Sequence, residues 1–233
     1  MSAILLYSYY IIMCYDAKSS MNGFLIGGAA SLYLIVFSNN PTYKHIGLFF
    51  AAVVLMQLAE YFIWIDQDCD KNYNSLASKS IVPILAFQVF ALIFGGYLFD
   101  TTILPNYILK YASIISSIFV LYFCYNNFYL DSGLWCTKPN EDERLQWDKY
   151  KEIVNDVLEN IYNLIFVLIP FFFKNVRIGF MLFIVGMIAL INTRYENQHS
   201  WNSKWCFYSA NIPILFVVIN IIEKYYKKKF PFI

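Results

Sequence analysis

Long apolar runs alternate with short polar breaks along this chain, and the runs have the length of membrane helices rather than of buried core segments. A bilayer core takes about 20 predominantly apolar residues per helix. Seven such runs, each bounded by polar or turn residues, can be read at about 17–38, 45–65, 81–99, 107–125, 153–173, 176–191 and 205–222. Asp16 is placed to cap the first, and Asn39-Asn40-Pro41 to stop it. Only Lys174-Asn175 separates the fifth and sixth, a turn so short that the two must form an antiparallel hairpin. The expected fold is an all-α, polytopic integral membrane bundle of seven transmembrane helices over 17–223. Residues 1–16 form an N-terminal extension, 126–152 a long loop and 224–233 a basic tail. The apolar start of the extension, residues 1–13, is too short to span, with no basic n-region or small-residue cleavage site.

Orientation follows from Lys and Arg in the loops. With the tail cytosolic and the N-terminus outside, the inner segments hold seven basic residues in 27 positions and the outer ones nine in 72. Basic density therefore favours this orientation about twofold. Lys227, Lys228 and Lys229 are also suited to contact anionic lipid. Composition agrees with the spans. Of 233 residues 59% are hydrophobic and 14% charged, whereas soluble domains carry about 25% charged residues. With 22 Phe and 20 Tyr against 9 Gly and 7 Pro, low-complexity disorder is excluded. A net charge of +1 gives no electrostatic footprint for nucleic acid.

Sorting residues by side exposes an asymmetry. Thirteen acids, all five Cys and all five Trp fall on or near the outer face, while Asp100 and Glu223 are the only acids at the other. Trp135-Cys136 and Trp205-Cys206 present the same pair from two loops, so a disulfide between them would staple the outer cap in an oxidising compartment. Cys14 and Cys69 are the other candidates for pairing, and free thiols behaving as small apolar residues are the alternative. No metal-ligand spacing accompanies them. Asp66, Asp68 and Asp70 resemble the start of a calcium loop, but Lys71 and Ala77 stand where Gly and Glu are needed, which leaves a solvated acidic turn.

Polar residues inside spans are the strongest functional signal, because an ionisable group in hydrocarbon costs about 3 kcal/mol or more. Glu60 is the one acid well inside a span, with Gln57 three residues before and Trp64 four after on one helical stripe. Gln88, Asn160, Asn163, Asn192 and Asn211 reach a similar depth from the outer side, with Arg194 as a counter-charge. Together they suggest an outward-facing polar cavity for a small molecule or ion. The alternative is a set of interhelical hydrogen bonds worth about 0.6 to 2 kcal/mol each. Gly23 and Gly27 with their small neighbours suit close helix packing.

Other chemistries lack their residues. The last span has no lysine for a retinal Schiff base, and His45 and His199, on opposite faces, are too few for a seven-span zinc hydrolase. Each lone histidine reads as polar surface. No cofactor, metal site or catalytic motif is indicated, so an enzyme ranks behind both a cavity protein and a structural or interaction protein acting through its Trp/Cys-bearing outer loops.

The stretch Met13-Cys14-Tyr15-Asp16-Ala17-Lys18-Ser19-Ser20-Met21-Asn22 resembles the Met-Cys-Trp-Ser-Ala-type start of an uncharacterised multi-span family of giant DNA viruses and their relatives. Gln57-Leu58-Ala59-Glu60-Tyr61-Phe62-Ile63-Trp64 is similar to that family's Gln-Leu-x-Glu-Phe-Phe-Ile-Trp on its second span. Departures are Tyr15 for Trp, Asp16 for Ser and twelve residues ahead of Met13, a candidate start. The resemblance implies that Cys14 and the Gln57/Glu60/Trp64 stripe belong to a family pattern, and it brings no activity.

Overall fold

The computed structural model describes residues 16–139, 145, 147, 153–154, 156–196 and 201–229. Among these the chain is all-helical. In order they form α1 (Ala17–Phe37), α2 (Pro41–Trp64), α3 (Tyr73–Phe99), α4 (Asn106–Tyr125), α5 (Asp156–Leu168), α6 (Val176–Glu196) and α7 (Trp201–Lys229). A π-turn over Asn126–Leu130 extends α4, and a 3-10 turn over Ile169–Phe172 extends α5. The segments Ala17–Phe37, Pro41–Trp64, Tyr73–Phe99 and Asn106–Leu130 are long and apolar enough to cross a membrane, and Leu158–Phe172 and Val176–Ile188 are shorter apolar helices. These features fit a membrane protein.

Local chemistry explains where the elements begin. Asp16 caps α1, its carboxylate accepting the amide of Ser19 at 2.6 Å. Pro41 does more than stop α1. With Asn40 accepting the amide of Thr42 at 2.9 Å, it opens α2 as a first-turn proline, one turn before the expected start at His45. Likewise α3 begins about two turns before the expected Ile81, α7 reaches beyond 205–222 at both ends, and Pro170 converts the end of α5 to a 3-10 turn. The expected basic tail is therefore helical through Lys229. Lys224 turns back onto the end of α1, donating to the Phe37 carbonyl at 2.5 Å with its ammonium 5.9 Å from the Tyr33 ring centre. The side chains of Lys227, Lys228 and Lys229 lie outside what is described.

Helix α2 is the axis, packed on α1, α3 and α7. Its apolar window is 67% buried, against 17% for α4, which rests on the outside of α3. Small residues allow the inner contacts. The buried stripe of α1 is Ser20, Gly23, Gly27, Ser31 and Leu34. A Cβ on Gly27 would strike the backbone carbonyl of Ala210 on α7 and lie 2.7 Å from Val54 on α2. One on Gly47 would lie 2.8 Å from the Ser31 carbonyl.

One end of the bundle is tied by backbone pairing between the α3–α4 loop and the end of the α5 turn. The Ile103 amide donates to the Phe172 carbonyl at 2.8 Å and the Lys174 amide to that of Thr101 at 2.8 Å, with a Lys174–Asp100 ion pair at 2.7 Å. His45 sits inside this knot rather than on polar surface, with no exposed area. The Leu92 carbonyl, 2.7 Å from Nε2, can only accept, so Nε2 carries the proton. Nδ1 then accepts from the Thr101 hydroxyl at 2.7 Å, and the ring stacks on Phe173 at 4.9 Å. Satisfying both ring nitrogens is what permits a histidine in this position. His199 lies outside the described residues.

Two neighbouring glycines separate packing from propensity. Gly27→Ala drives a methyl into α7 backbone and should cost about 1 to 3 kcal/mol. Gly28→Ala meets nothing within 4 Å and should be neutral or stabilising by up to about 1 kcal/mol through helix propensity. Thermal unfolding of the two purified variants measures the contrast, and equal melting points would refute the close approach of α1 to α7.

Candidate functional site

The Gln57/Glu60/Trp64 stripe lies near the C-terminal end of α2. Gln57 and Glu60 have no exposed surface, and the Gln57 amide donates to a Glu60 carboxylate oxygen at 2.8 Å. The antiparallel register of α1 on α2 sets Gly47 against Ser31, Val54 against Gly27 and Gln57 against Gly23. The next step places Ser20 level with Glu60. Ser20 is also fully buried, and its Oγ, the Oε1 of Gln57 and the Nε1 of Trp64 have no hydrogen-bond partner. A buried polar atom left unmade costs about 1 to 3 kcal/mol. Two of them, Ser20 Oγ and Gln57 Oε1, lie on the facing α1 and α2 stripes, while Trp64 packs toward Ile63, Ala77 and Trp147.

The remaining candidates do not join one wall. Gln88 on α3 is buried, its Oε1 accepting from the Tyr162 hydroxyl at 2.5 Å while its Nε2 has no partner. Tyr162 was not anticipated; its signal was its place next to Asn163 in a polar i, i+4 series. Asn163 lines a different space, a cavity of about 50 Å³ among α2, α3, α5, α6 and α7 walled by Phe49, Phe50, Leu92, Phe166 and Leu182. Asn160 is exposed on α5 and Asn211 part-buried on α7. The side chains of Asn192 and Arg194 lie outside what is described. The expected single lining is thus divided between an α1–α2 cluster on Glu60 and an amide pair on α3 and α5.

Above these lies a built cap. Cys69, after α2, pairs with Cys136 rather than Cys136 with Cys206; Cys14 and the side chain of Cys206 lie outside what is described. Closing a loop of 67 residues restricts the unfolded chain by about 4 kcal/mol in the chain-entropy account. Segment 131–137 is laid along the first turns of α3. Asn74 acts there as a surrogate peptide, its Oδ1 accepting from the Thr137 amide at 2.9 Å and its Nδ2 donating to the Thr137 carbonyl at 2.8 Å. The hydroxyls of Ser78 and Thr137 lie 2.7 Å apart, and Ser75 accepts the Trp135 amide at 3.1 Å. Lys79 donates to the Asp131 carbonyl at 2.6 Å, while Asn127, turned inward by the π-turn, donates to the carbonyl of Lys79 at 2.9 Å.

Asp66 is an organiser of this cap, not part of a solvated turn. It is 4% exposed and accepts the amides of Lys71 and Asn74, each at 3.1 Å, whereas Asp68 and Asp70 are exposed. Desolvation pushes its pKa up, but the amides of Asn74, Lys71, Tyr73 and Asp70 together outweigh it and hold the carboxyl below its ordinary 3.8. Cys69 and Asn72 flank the turn with φ of 61°. Asn tolerates that region; Cys69 is held there by its disulfide and by its amide on the Asp66 carbonyl at 3.1 Å.

Two measurements test the cap. Non-reducing peptide mapping should recover residues 69 and 136 in one linked peptide, and a 136–206 link would overturn the pairing. Because Asp66 is held below 3.8, its contribution to stability is fully present above about pH 4 and is lost as pH falls through the lowered pKa. Asp66→Asn should therefore be less stable than the native protein at pH 6, with the gap narrowing as pH falls below about 4. A gap independent of pH would show that the charge plays no part.

No family model matches the chain, and no curated protein or solved structure matches it. What the site does must be argued from its own atoms.

Proposed function

We propose that the chain is a seven-span membrane protein, N-terminus outside and C-terminus cytosolic, whose Glu60 cluster takes up a small ion from the outer side. The span count is supported by length. Asp156–Phe172 rises about 27 Å as α-helix plus 3-10 turn and the 21 residues of α6 about 31 Å, close to a bilayer core of about 30 Å. The orientation is supported by redox chemistry, since a Cys69–Cys136 disulfide persists on a face open to an oxidising compartment and Lys224 lies at the opposite end. On that inner face we assign Lys227, Lys228 and Lys229 to anionic headgroups.

The observation that carries the functional reading is a fully buried carboxylate level with two orphaned oxygens, Ser20 Oγ and Gln57 Oε1. Oxygen donors of this kind suit a proton or a hard monovalent cation, and a single carboxylate supplies too little charge for a divalent ion. A bound cation or proton would occupy the orphaned oxygens next to the Gln57–Glu60 pair. The features that favoured an interaction surface serve the chain itself, because Trp135 and Trp147 are buried and Cys136 is tied to Cys69. We also propose that the resembling viral proteins use the Gln-Leu-x-Glu stripe in the same way.

The test is reconstitution in vesicles holding a trapped pH dye, together with Na⁺ and K⁺ titration of the melting temperature. Glu60→Gln should abolish the acid-pulse or cation response at least tenfold while the 69–136 link and helix content stay intact. Gly23→Ala, whose Cβ would lie 3.0 Å from Gln57 Oε1, should weaken it partially. A folded Glu60→Gln protein with native responses, or a native protein with none, overturns the reading.

A further inference from the structure

An open recess of about 520 Å³ lies at the end of the bundle tied around His45. It is bounded by Thr42 at the start of α2, by Asp100 and Thr101 in the α3–α4 turn, and by Lys174, Asn175 and Arg177 at the start of α6. Its walls are held by bonds described above. The Thr101 carbonyl accepts the Lys174 amide at 2.8 Å, and the Thr101 hydroxyl is fixed by His45. Three elements therefore meet at a set spacing around a polar space.

What lines the recess is rich in unused donors. Arg177 is exposed and makes no ion pair among the described residues, and its planar fork suits two phosphate oxygens at once. Asn175 caps α6, its Oδ1 accepting the Ile178 amide at 3.3 Å and its carbonyl the Gly179 amide at 2.9 Å. The amides of Val176 and Arg177 are left without an intrahelical acceptor, at the start of a 21-residue helix, where an anion is favoured. Thr42 carries the case beyond a helix terminus. It is 6% exposed, it lines the recess, and its hydroxyl makes no hydrogen bond among the described residues. Its amide is already taken by Asn40 at 2.9 Å, so α2 offers the recess a hydroxyl and not its backbone. A polar side chain this buried ordinarily has a partner, and the recess is the space in which one fits. Asp100 is the acid of the lining, its Oδ2 2.7 Å from Lys174 Nζ. A carboxylate disfavours a bare oxyanion but accepts from alcohol hydroxyls, so the lining as a whole suits an anion that carries hydroxyls.

We propose that this recess binds the phosphate ester of a polyol, of the glycerol phosphate class. Arg177, the first amides of α6 and the Thr42 hydroxyl hold the phosphate, and Asp100, steadied by Lys174, accepts from the alcohol. Two sources supply that chemistry. On the orientation proposed above this end faces the cytosolic leaflet, where a phosphatidylglycerol headgroup presents it, and a soluble glycerol phosphate presents it from the water. The site shares no residue with the Glu60 cluster or with Lys227, Lys228 and Lys229.

Native mass spectrometry of the full-length protein in detergent, titrated separately with phosphatidylglycerol and with glycerol 3-phosphate, provides the test. Expected is one saturable adduct with at least one of the two probes. An adduct with the lipid alone assigns the source to the membrane, and one with glycerol 3-phosphate assigns it to the water. Arg177→Gln should weaken the adduct at least fivefold. Thr42→Val, which keeps the shape and removes the hydroxyl, should weaken it two- to fivefold. Glu60→Gln should leave it unchanged, so that failure of the ion site and failure of this site are distinguishable. Exchange of Lys227, Lys228 and Lys229 for Gln should also leave it unchanged. The proposal is overturned by no saturable adduct with either probe, by an adduct lost on exchanging the tail lysines, or by one that Arg177→Gln and Thr42→Val both leave intact in protein retaining the 69–136 disulfide.

Discussion

The contact on which the rest of this molecule depends is the near-backbone approach of α1 to α2 and α7. Gly23, Gly27 and Gly47 have no side chains at the places where Gln57, Ala210 and Ser31 stand, and in lipid such packing replaces the hydrophobic driving force that water would supply. It also decides what can be polar. With α1 held this close, the faces of α2 bearing Gln57 and Glu60 are buried, and a carboxylate that would be prohibitive on a lipid-facing helix acquires an amide partner.

The two ends of the bundle solve one problem by different means. Loops at a membrane boundary must satisfy their backbone groups without a sheet. At one end two short loops pair with each other, around a histidine whose ring nitrogens bridge α3 and the Thr101 turn. At the other end the loop is longer, and side chains take the place of backbone. Asn74 pairs with Thr137 as a neighbouring strand would, Asp66 collects the amides at the start of α3, and a disulfide closes the arrangement. Polar residues in the first turns of α3 are thus inside the protein.

That substitution explains what could be read in advance. Runs of apolar residues marked the helices because hydropathy is a property of each segment alone, and Asp16, Pro41 and the glycines acted through local rules. The start of α3 was missed because Asn74, Ser75 and Ser78 look like loop residues until Thr137 and Trp135 are placed against them. The same dependence on distant partners hid Asp66 and His45, each read as surface because the groups that satisfy it come from other elements. Glu60, Gln57 and Trp64 were legible as a stripe since they share one helix. Their grouping with Gln88 and Asn163 rested on an expected common depth, but α3 starts two turns early and its register on α2 sets Gln88 level with Phe49, well below Glu60.

The division of the polar residues has a consequence for how the two spaces relate. Val53 lines the apolar cavity beside Asn163 and lies one turn before Gln57 on the same face of α2. The cavity and the Glu60 cluster are therefore consecutive layers along one helix, apolar below and polar above. The cavity borders α5 and α6, which meet mainly through the turn at Pro170, whereas the Glu60 cluster lies between α1 and α2, locked by glycine contacts. A rigid polar layer over a softer apolar one is a workable order for a membrane protein. The group that is expensive to misplace is held by the tightest packing, and the apolar cavity borders helices that meet mainly through one turn.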